Sequence, residues 1–356
     1  MEIDFPKLLN DSLRIFFKDA LRVTLTNPQQ AAFFFRTLRW QKKAAQLRSN
    51  WAKQGINVPP IMIFSITNRC NLHCKGCYNQ ALRQSPPVEM SKEKVRSMFA
   101  ETRELGISFI VLGGGEPLVR QEILEITKDF RDIIFLVFTN GLLIDEEFVA
   151  KLERQKNLIP VISLEGYEKD TDNRRGQGVY ERLQKVIMKI KNKRVFWATS
   201  LTMTRSNFAD VTNEHFVKQL VDQGCKLIFL VEYNPIRKET ESWILTEEQR
   251  ASLMNIRNSL RAKFSALFIT IPGDEDEIGG CLSAGRGFVH ISAEGNVEPC
   301  PFIPYSDANL SELSLKEALQ SNFLKTIRQN HSQLSENGGC ALWEKREWIQ
   351  SLLNDQ

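Results

Sequence analysis

Six short apolar runs of strand length recur along the chain: "IMIFSI" from residue 61, "ISFIVLGGG" from 107, "IIFLVFTNG" from 133, "IPVISLEG" from 159, "VFWATSLTM" from 195 and "KLIFLVEY" from 226. Stretches with helical spacing separate them, at 91–105, 120–130, 145–155, 178–192 and 211–223. Near-continuous apolar strands joined through helices predict a parallel sheet covered on both faces. Six such units build either an open, incomplete barrel or a doubly wound sheet. In both arrangements functional residues gather at the C-terminal ends of the strands.

Two segments flank this core. Residues 6–25 and 30–53 read as amphipathic helices, with apolar spacings such as Leu9, Leu13, Phe16 and Ala20, and they break at Asn27-Pro28. Pro59-Pro60 ends that segment. After Pro235 the pattern fragments. A helix is expected at about 246–264, then the Gly-rich, acidic "PGDEDEIGG", a hairpin-like "GFVHISAEGNVEPC" turning at Glu294-Gly295-Asn296, and a helical tail over Glu344 to Leu353. The organisation expected is a helical segment over 1–58, a core over 59–240 and a smaller C-terminal domain over 241–356.

At 356 residues, with 42% hydrophobic and 25% charged residues, the composition is that of a globular protein with room for a large core. The N-terminus has no signal-peptide pattern and no apolar run reaches spanning length, so a cytoplasmic location is expected. A reducing compartment makes the seven cysteines poor disulfide formers and better metal ligands. Charge is uneven: residues 1–58 hold ten basic and four acidic side chains, a balance of +6 against +4 for the whole chain.

The cysteines carry the chemistry. Cys70, Cys74 and Cys77 stand in "SITNRCNLHCKGCYNQ", spaced C-x3-C-x2-C just beyond the first strand. A closed structural zinc site takes four ligands. Three thiolates on a four-iron cluster leave one iron open to another molecule. "GGEP" ends the second strand, "TNG" the third and "SLEG" the fourth.

In this order the motifs resemble the radical S-adenosylmethionine (radical SAM) enzymes. The resemblance implies a partial (β/α)6 TIM-like barrel of the α/β class, with the N-terminal helical segment and a small C-terminal auxiliary cluster domain. It implies a 4Fe-4S cluster on Cys70, Cys74 and Cys77 whose open iron chelates SAM. Reductive cleavage of SAM then yields a 5′-deoxyadenosyl radical that abstracts hydrogen from a substrate.

For SAM itself the resemblance implies contacts from Gly114, Gly115, Glu116 and Pro117 to the amino group and from Asn140. It further implies Ser163 and Glu165 at the ribose and, from "DNRRG", Arg175 at the carboxylate. Glu165 stands where the family has Asp. Gly76 stands where the family has an aromatic residue near the adenine, and Tyr78 is the substitute expected.

"CLSAGRGFVHISAEGNVEPC" spaces Cys281, Gly295 and Cys300 as at the start of a SPASM or twitch extension, which binds an auxiliary iron-sulfur cluster in related enzymes. Only Cys340 follows, so one auxiliary cluster on Cys281, Cys300 and Cys340 is expected, with an open iron or a non-cysteine ligand. Cys225 reads as a small core residue.

The substrate stays open among lipid, peptide and small molecule; a non-catalytic iron-sulfur or zinc-binding protein is the alternative. A flavodoxin or ferredoxin is the expected reductant, and no nucleic acid is expected. The N-terminal helices carry Phe16, Phe17, Phe33, Phe34, Phe35, Trp40 and Trp51 beside their basic charge. They are expected either to lie peripherally on the inner membrane face or to cap the barrel.

Overall fold

The computed structural model describes residues 5–83, 88–276, 279–334 and 340–354. The six apolar runs form β1 (Ile61–Thr67), β2 (Phe109–Gly114), β3 (Ile134–Thr139), β4 (Leu158–Leu164), β5 (Trp197–Met203) and β6 (Cys225–Glu232). All pair in parallel with their sequence neighbours, in the order expected of β/α units and with helices in the connections. Residues 120–130, expected as one helix, are instead a chain of single turns around Gln121–Leu124.

Three further strands enlarge the sheet. β7 (Leu267–Ile271) pairs in parallel with β6, and β8 (Phe288–Ile291) in parallel with β1. The expected hairpin is present, since β9 (Val297–Glu298) runs antiparallel to β8 with Gly295 at its turn. The sheet order is therefore β7-β6-β5-β4-β3-β2-β1-β8-β9. All three added strands come from beyond residue 240, so the sheet continues past that position.

Alternation along the strands separates two cores. One face of the sheet packs Ile110, Leu112, Phe135, Val137 and Ile162 under the surrounding helices, together with Leu315, Phe323 and Ile349 of the C-terminal region. The other face points into the barrel: Phe109, Ile134, Leu136, Ile159, Val161, Ala198, Leu227, Phe229 and Leu267. Most of these lie at or near the N-terminal ends of their strands.

That end is closed by α1 (Phe5–Thr24) and α2 (Pro28–Ala52). Asn27 caps α2 by accepting the Gln30 N–H (3.2 Å), and Pro28 occupies the first turn where its missing donor costs nothing. Phe17, Ala20, Val23, Phe33 and Phe34 enter the inward-facing core. Phe17 stacks on Phe109 at 5.2 Å between ring centroids, and Phe34 meets Phe196 at 5.1 Å. Polar ties hold the cap in register: Gln30 Nε2 donates to Arg194 O (2.8 Å), and Ser108 Oγ donates to Gln41 Oε1 (2.7 Å).

The aromatic side chains thus divide. Phe17, Phe33 and Phe34 are buried, and Phe16, Trp40 and Trp51 are half-buried. Phe35 stays exposed, as do Ile15 and Leu25. Among the described residues no helix is long and apolar enough to cross a membrane. Removing the Phe17 ring leaves a cavity in this core, so Phe17→Ala is expected to cost about 3–5 kcal/mol, read as a lower midpoint in chemical denaturation.

Candidate active site

The loop bearing Cys70, Cys74 and Cys77 leaves β1 and is fastened to the exits of the next three strands. Thr67 O accepts Gly115 N–H (2.7 Å) and Arg69 O accepts Glu116 N–H (2.9 Å). This contact needs bare backbone: a Cβ on Gly114 would collide with Thr67 O, and one on Gly115 with Arg69 O. The "GGEP" glycines are there to let β2 close on the cysteine loop.

Glu116 is fully buried and acts as a clamp. Its Oε1 accepts Leu118 N–H (3.0 Å) and the Thr139 hydroxyl (2.7 Å), and its Oε2 accepts Asn140 N–H (2.7 Å). Burial pushes the carboxyl above its ordinary value against the pull of these bonds. Three of its roughly four lone-pair sites are thus taken by the chain. Pro117 follows in a buried turn. From the end of β3, Asn140 Nδ2 reaches Asn71 Oδ1 (2.7 Å) and lies 3.9 Å from Cys70 Sγ.

The fourth strand adds Ser163, half-buried beside Ser200 of β5, and Glu165, which is 1% exposed. Glu165 Oε1 takes Arg174 Nη1 (2.6 Å) and both Nε (2.8 Å) and Nη2 (2.5 Å) of Arg175. Arg175, expected at a ligand carboxylate, is therefore paired with the chain's own carboxylate. Burial alone would lower its guanidinium, but the charges of Glu165 and Cys74 outweigh that and hold it up. Arg174 extends the contact to the cysteine loop, where Lys75 N–H donates to Arg174 O (2.8 Å). Burial raises the Cys74 thiol, and the charges of Arg175 and Arg174 oppose that rise in part.

Tyr78 points elsewhere than expected. It packs edge-on against Phe302 (5.0 Å), beside the Cys300 hairpin, and burial pushes its phenol up. The space above Gly76 belongs to two residues missed in the sequence. A Cβ there would stand 2.5 Å from Tyr233 Oη and 2.9 Å from Trp243, whose rings lie 5.2 Å apart. Arg174 lies over the Tyr233 ring (5.9 Å), and the neighbouring Asn234 Nδ2 is buried without a partner. The one signal in the sequence was position, since "YNP" directly follows the sixth strand.

The thiols of the second cysteine set lie within electrostatic range of one another. Burial pushes Cys300 well up and Cys281 up to about 12, and each thiol feels the charge of Cys340. Cys225 is buried in the core, as expected. Gly338 and Gly339 beside Cys340, and Glu277 and Ile278 of the acidic stretch, lie outside the described residues. Among the described residues no group of three or more His, Cys, Asp or Glu is gathered closely enough to hold a single metal ion.

A buried polar chain ties the two cysteine sets to each other. Arg83, six residues after Cys77, meets Glu298 at both carboxylate oxygens (2.7 and 2.5 Å) and Pro301 O (3.3 Å), next to Cys300. Glu298 Oε2 continues to His290 Nδ1 (2.7 Å), and His290 Nε2 to Ser65 Oγ (2.8 Å) on β1.

Burial lowers His290. Burial would raise Glu298, but its bonds to Arg83 and His290 hold it below the ordinary value. Both folded values lie below the unfolded ones, so the unfolded chain takes up protons first as pH falls. Stability is expected to be full above about pH 6.5, the unfolded His value, and to decline below it and again through the carboxylate range. Denaturation midpoints across that range check this, and His290→Gln should flatten the upper step.

With the geometry in place, comparison with known proteins is direct. The Radical SAM superfamily model matches residues 64–230, from within β1 to within β6, the span that carries the first cysteine set and the exits of β2 to β4. The chain has a radical SAM superfamily fold. It is 25% identical over 317 residues to the AdoMet-dependent heme synthase of Methanosarcina barkeri, covering 82% of this chain and 90% of that protein. It is 26% identical to the Fe-coproporphyrin III synthase of the same organism, over 49% of this chain and 44% of the other. Among solved structures it resembles Streptococcus suis SuiB bound to S-adenosylmethionine, with a TM-score of 0.66 and 17% identity, over 83% of this chain and 73% of that one. That likeness is one of fold, and it includes a C-terminal auxiliary domain.

The residues at these strand exits fit a bound S-adenosylmethionine. Glu165 Oε2 is buried with no partner, while its twin oxygen holds two arginines. A buried carboxylate oxygen left uncommitted in this way can accept a hydrogen bond from a hydroxyl of a bound ligand. It sits at the strand exit where a SAM ribose is expected.

Proposed function

We propose that the chain is a radical SAM enzyme whose 4Fe-4S cluster is held by Cys70, Cys74 and Cys77, with SAM bound across the exits of β2 to β4. The observation that carries this reading is convergence. One loop bears three half-buried thiols. It is tied to Asn140, to Arg174 and through Arg174 to Glu165, whose second oxygen is uncommitted. When bound, cluster and SAM supply reductive carbon-sulfur cleavage and a hydrogen-abstracting radical. The chain's part is to orient and seal: Asn140 fixes the loop beside Cys70, Glu165 receives the ribose, and Tyr233 and Trp243 wall off the side above Gly76.

In the same reading Cys281, Cys300 and Cys340 hold one auxiliary iron-sulfur centre. The heme synthase and Fe-coproporphyrin III synthase named for the two Methanosarcina barkeri relatives support an iron tetrapyrrole as the first substrate class to assay. A flavodoxin or ferredoxin serves as reductant, and the basic, partly apolar outer face of the N-terminal helices gives a place for peripheral contact with an acidic partner or the inner membrane face.

Anaerobically reconstituted protein supplied with dithionite and SAM is expected to release 5′-deoxyadenosine. Iron and sulfide without that product would favour a non-catalytic iron-sulfur protein, and zinc without sulfide an interaction module.

A further inference from the structure

Three thiols leave one corner of a four-iron centre for another ligand. Beside the second cysteine set the chain holds a carboxylate. Glu275 lies in the turn Gly273–Asp276, directly after β7 and before Cys281. Its main-chain carbonyl accepts Gly280 N–H (2.8 Å), and its Oε2 accepts Leu282 N–H (3.2 Å). The carboxylate is thereby fastened at the residue next to Cys281. The same loop is held on the Cys300 turn, because Ala284 N–H donates to Pro299 O (3.0 Å).

The charge pattern agrees with this geometry. After burial, the charge of Glu275 is among the causes that push both the Cys281 and the Cys300 thiols up. Arg286 donates to Gly280 O (3.0 Å) and Cys281 O (2.9 Å) and feels both Cys281 and Glu275. A guanidinium beside the site offsets part of the charge that three thiolates and a carboxylate would gather.

We infer that Glu275 is the fourth protein ligand of the auxiliary iron-sulfur centre, its carboxylate meeting the iron that Cys281, Cys300 and Cys340 leave open. This rests on the proposed presence of a centre on those cysteines. It also assigns the turn after β7 a purpose beyond connection: the edge of the barrel sheet delivers a hard oxygen ligand to a site otherwise made of sulfur.

The test uses full-length protein carrying Cys70→Ala, Cys74→Ala and Cys77→Ala, reconstituted anaerobically so that only the second centre is present. Iron, sulfide and electron paramagnetic resonance spectra are compared for this background and for the same protein with Glu275→Gln or Glu275→Cys. Glutamine keeps an acceptor for Leu282 N–H but removes the anionic ligand, so a role confined to capping the turn predicts no change. Ligation predicts that the background holds about four irons per chain. Glu275→Gln should then lose about one of them on mild oxidation and develop a three-iron signal, and Glu275→Cys should restore the four-iron count with a changed line shape. An unchanged spectrum and iron content in Glu275→Gln overturns the ligand assignment while leaving the centre standing. Absence of iron and sulfide from the background protein overturns the centre and the assignment together.

Discussion

Protein in which Cys70, Cys74 and Cys77 are all alanine is expected to form no 5′-deoxyadenosine above a control of SAM and dithionite alone. The three thiols stand within eight residues on one loop, and nothing else on that loop supplies a soft anionic ligand. The loop itself should survive the change, because it is held by main-chain and amide bonds to Gly115, Glu116, Arg174 and Asn140 rather than by its sulfurs. Far-UV circular dichroism and the denaturation midpoint should therefore stay near the unaltered values while product vanishes. If the variant cleaves SAM as fast as the parent, the proposed site is wrong.

Glu165→Ala should show two separable losses. Arg174 and Arg175 both end on one oxygen of Glu165, with side chains 14% and 10% exposed against 1% for the carboxylate. Breaking a buried pair by removing one partner costs about 3–5 kcal/mol, because the remaining charge is left uncompensated. Glu165→Gln keeps an acceptor for the arginines and should lose less. The second loss concerns the uncommitted Oε2. A hydrogen bond to a charged group contributes about 1.5–3 kcal/mol, so SAM affinity in Glu165→Gln should fall roughly tenfold to a hundredfold. Equilibrium dialysis on folded protein measures it. Unchanged affinity in the Gln variant would confine Glu165 to holding its two arginines.

The sequence and the structure divide the work along a physical line. Strand and helix patterns are local: the near-continuous apolar runs that became β1 to β6 and the cap signal at Asn27-Pro28 are written in a window of a few residues. So is the spacing of the first three cysteines. These were legible before any coordinates. The hairpin from Phe288 to Glu298 was legible too, although its place in the sheet was not.

Placement is a different matter, because it joins residues far apart in the chain. β8 pairs with β1 across more than two hundred positions, and β7 adds itself to the opposite edge; neither short run differs by pattern from an isolated hairpin or loop strand. Arg175 was read toward a ligand, and only folding shows Glu165 close enough to claim it. Tyr78 follows Cys77 directly, yet the ring it meets is Phe302, while the room at Gly76 goes to Tyr233 and Trp243. The aromatic residues of α1 and α2 were equally compatible with a membrane surface and a barrel cap, because amphipathic periodicity states that a face is apolar and not what covers it. Thus the sequence alone determined most of the elements and the spacing of the cysteines. Which carboxylate holds which arginine, which rings wall the site, and which aromatic residues close the barrel were decided by tertiary packing, where burial and charge are settled between partners that local pattern cannot connect.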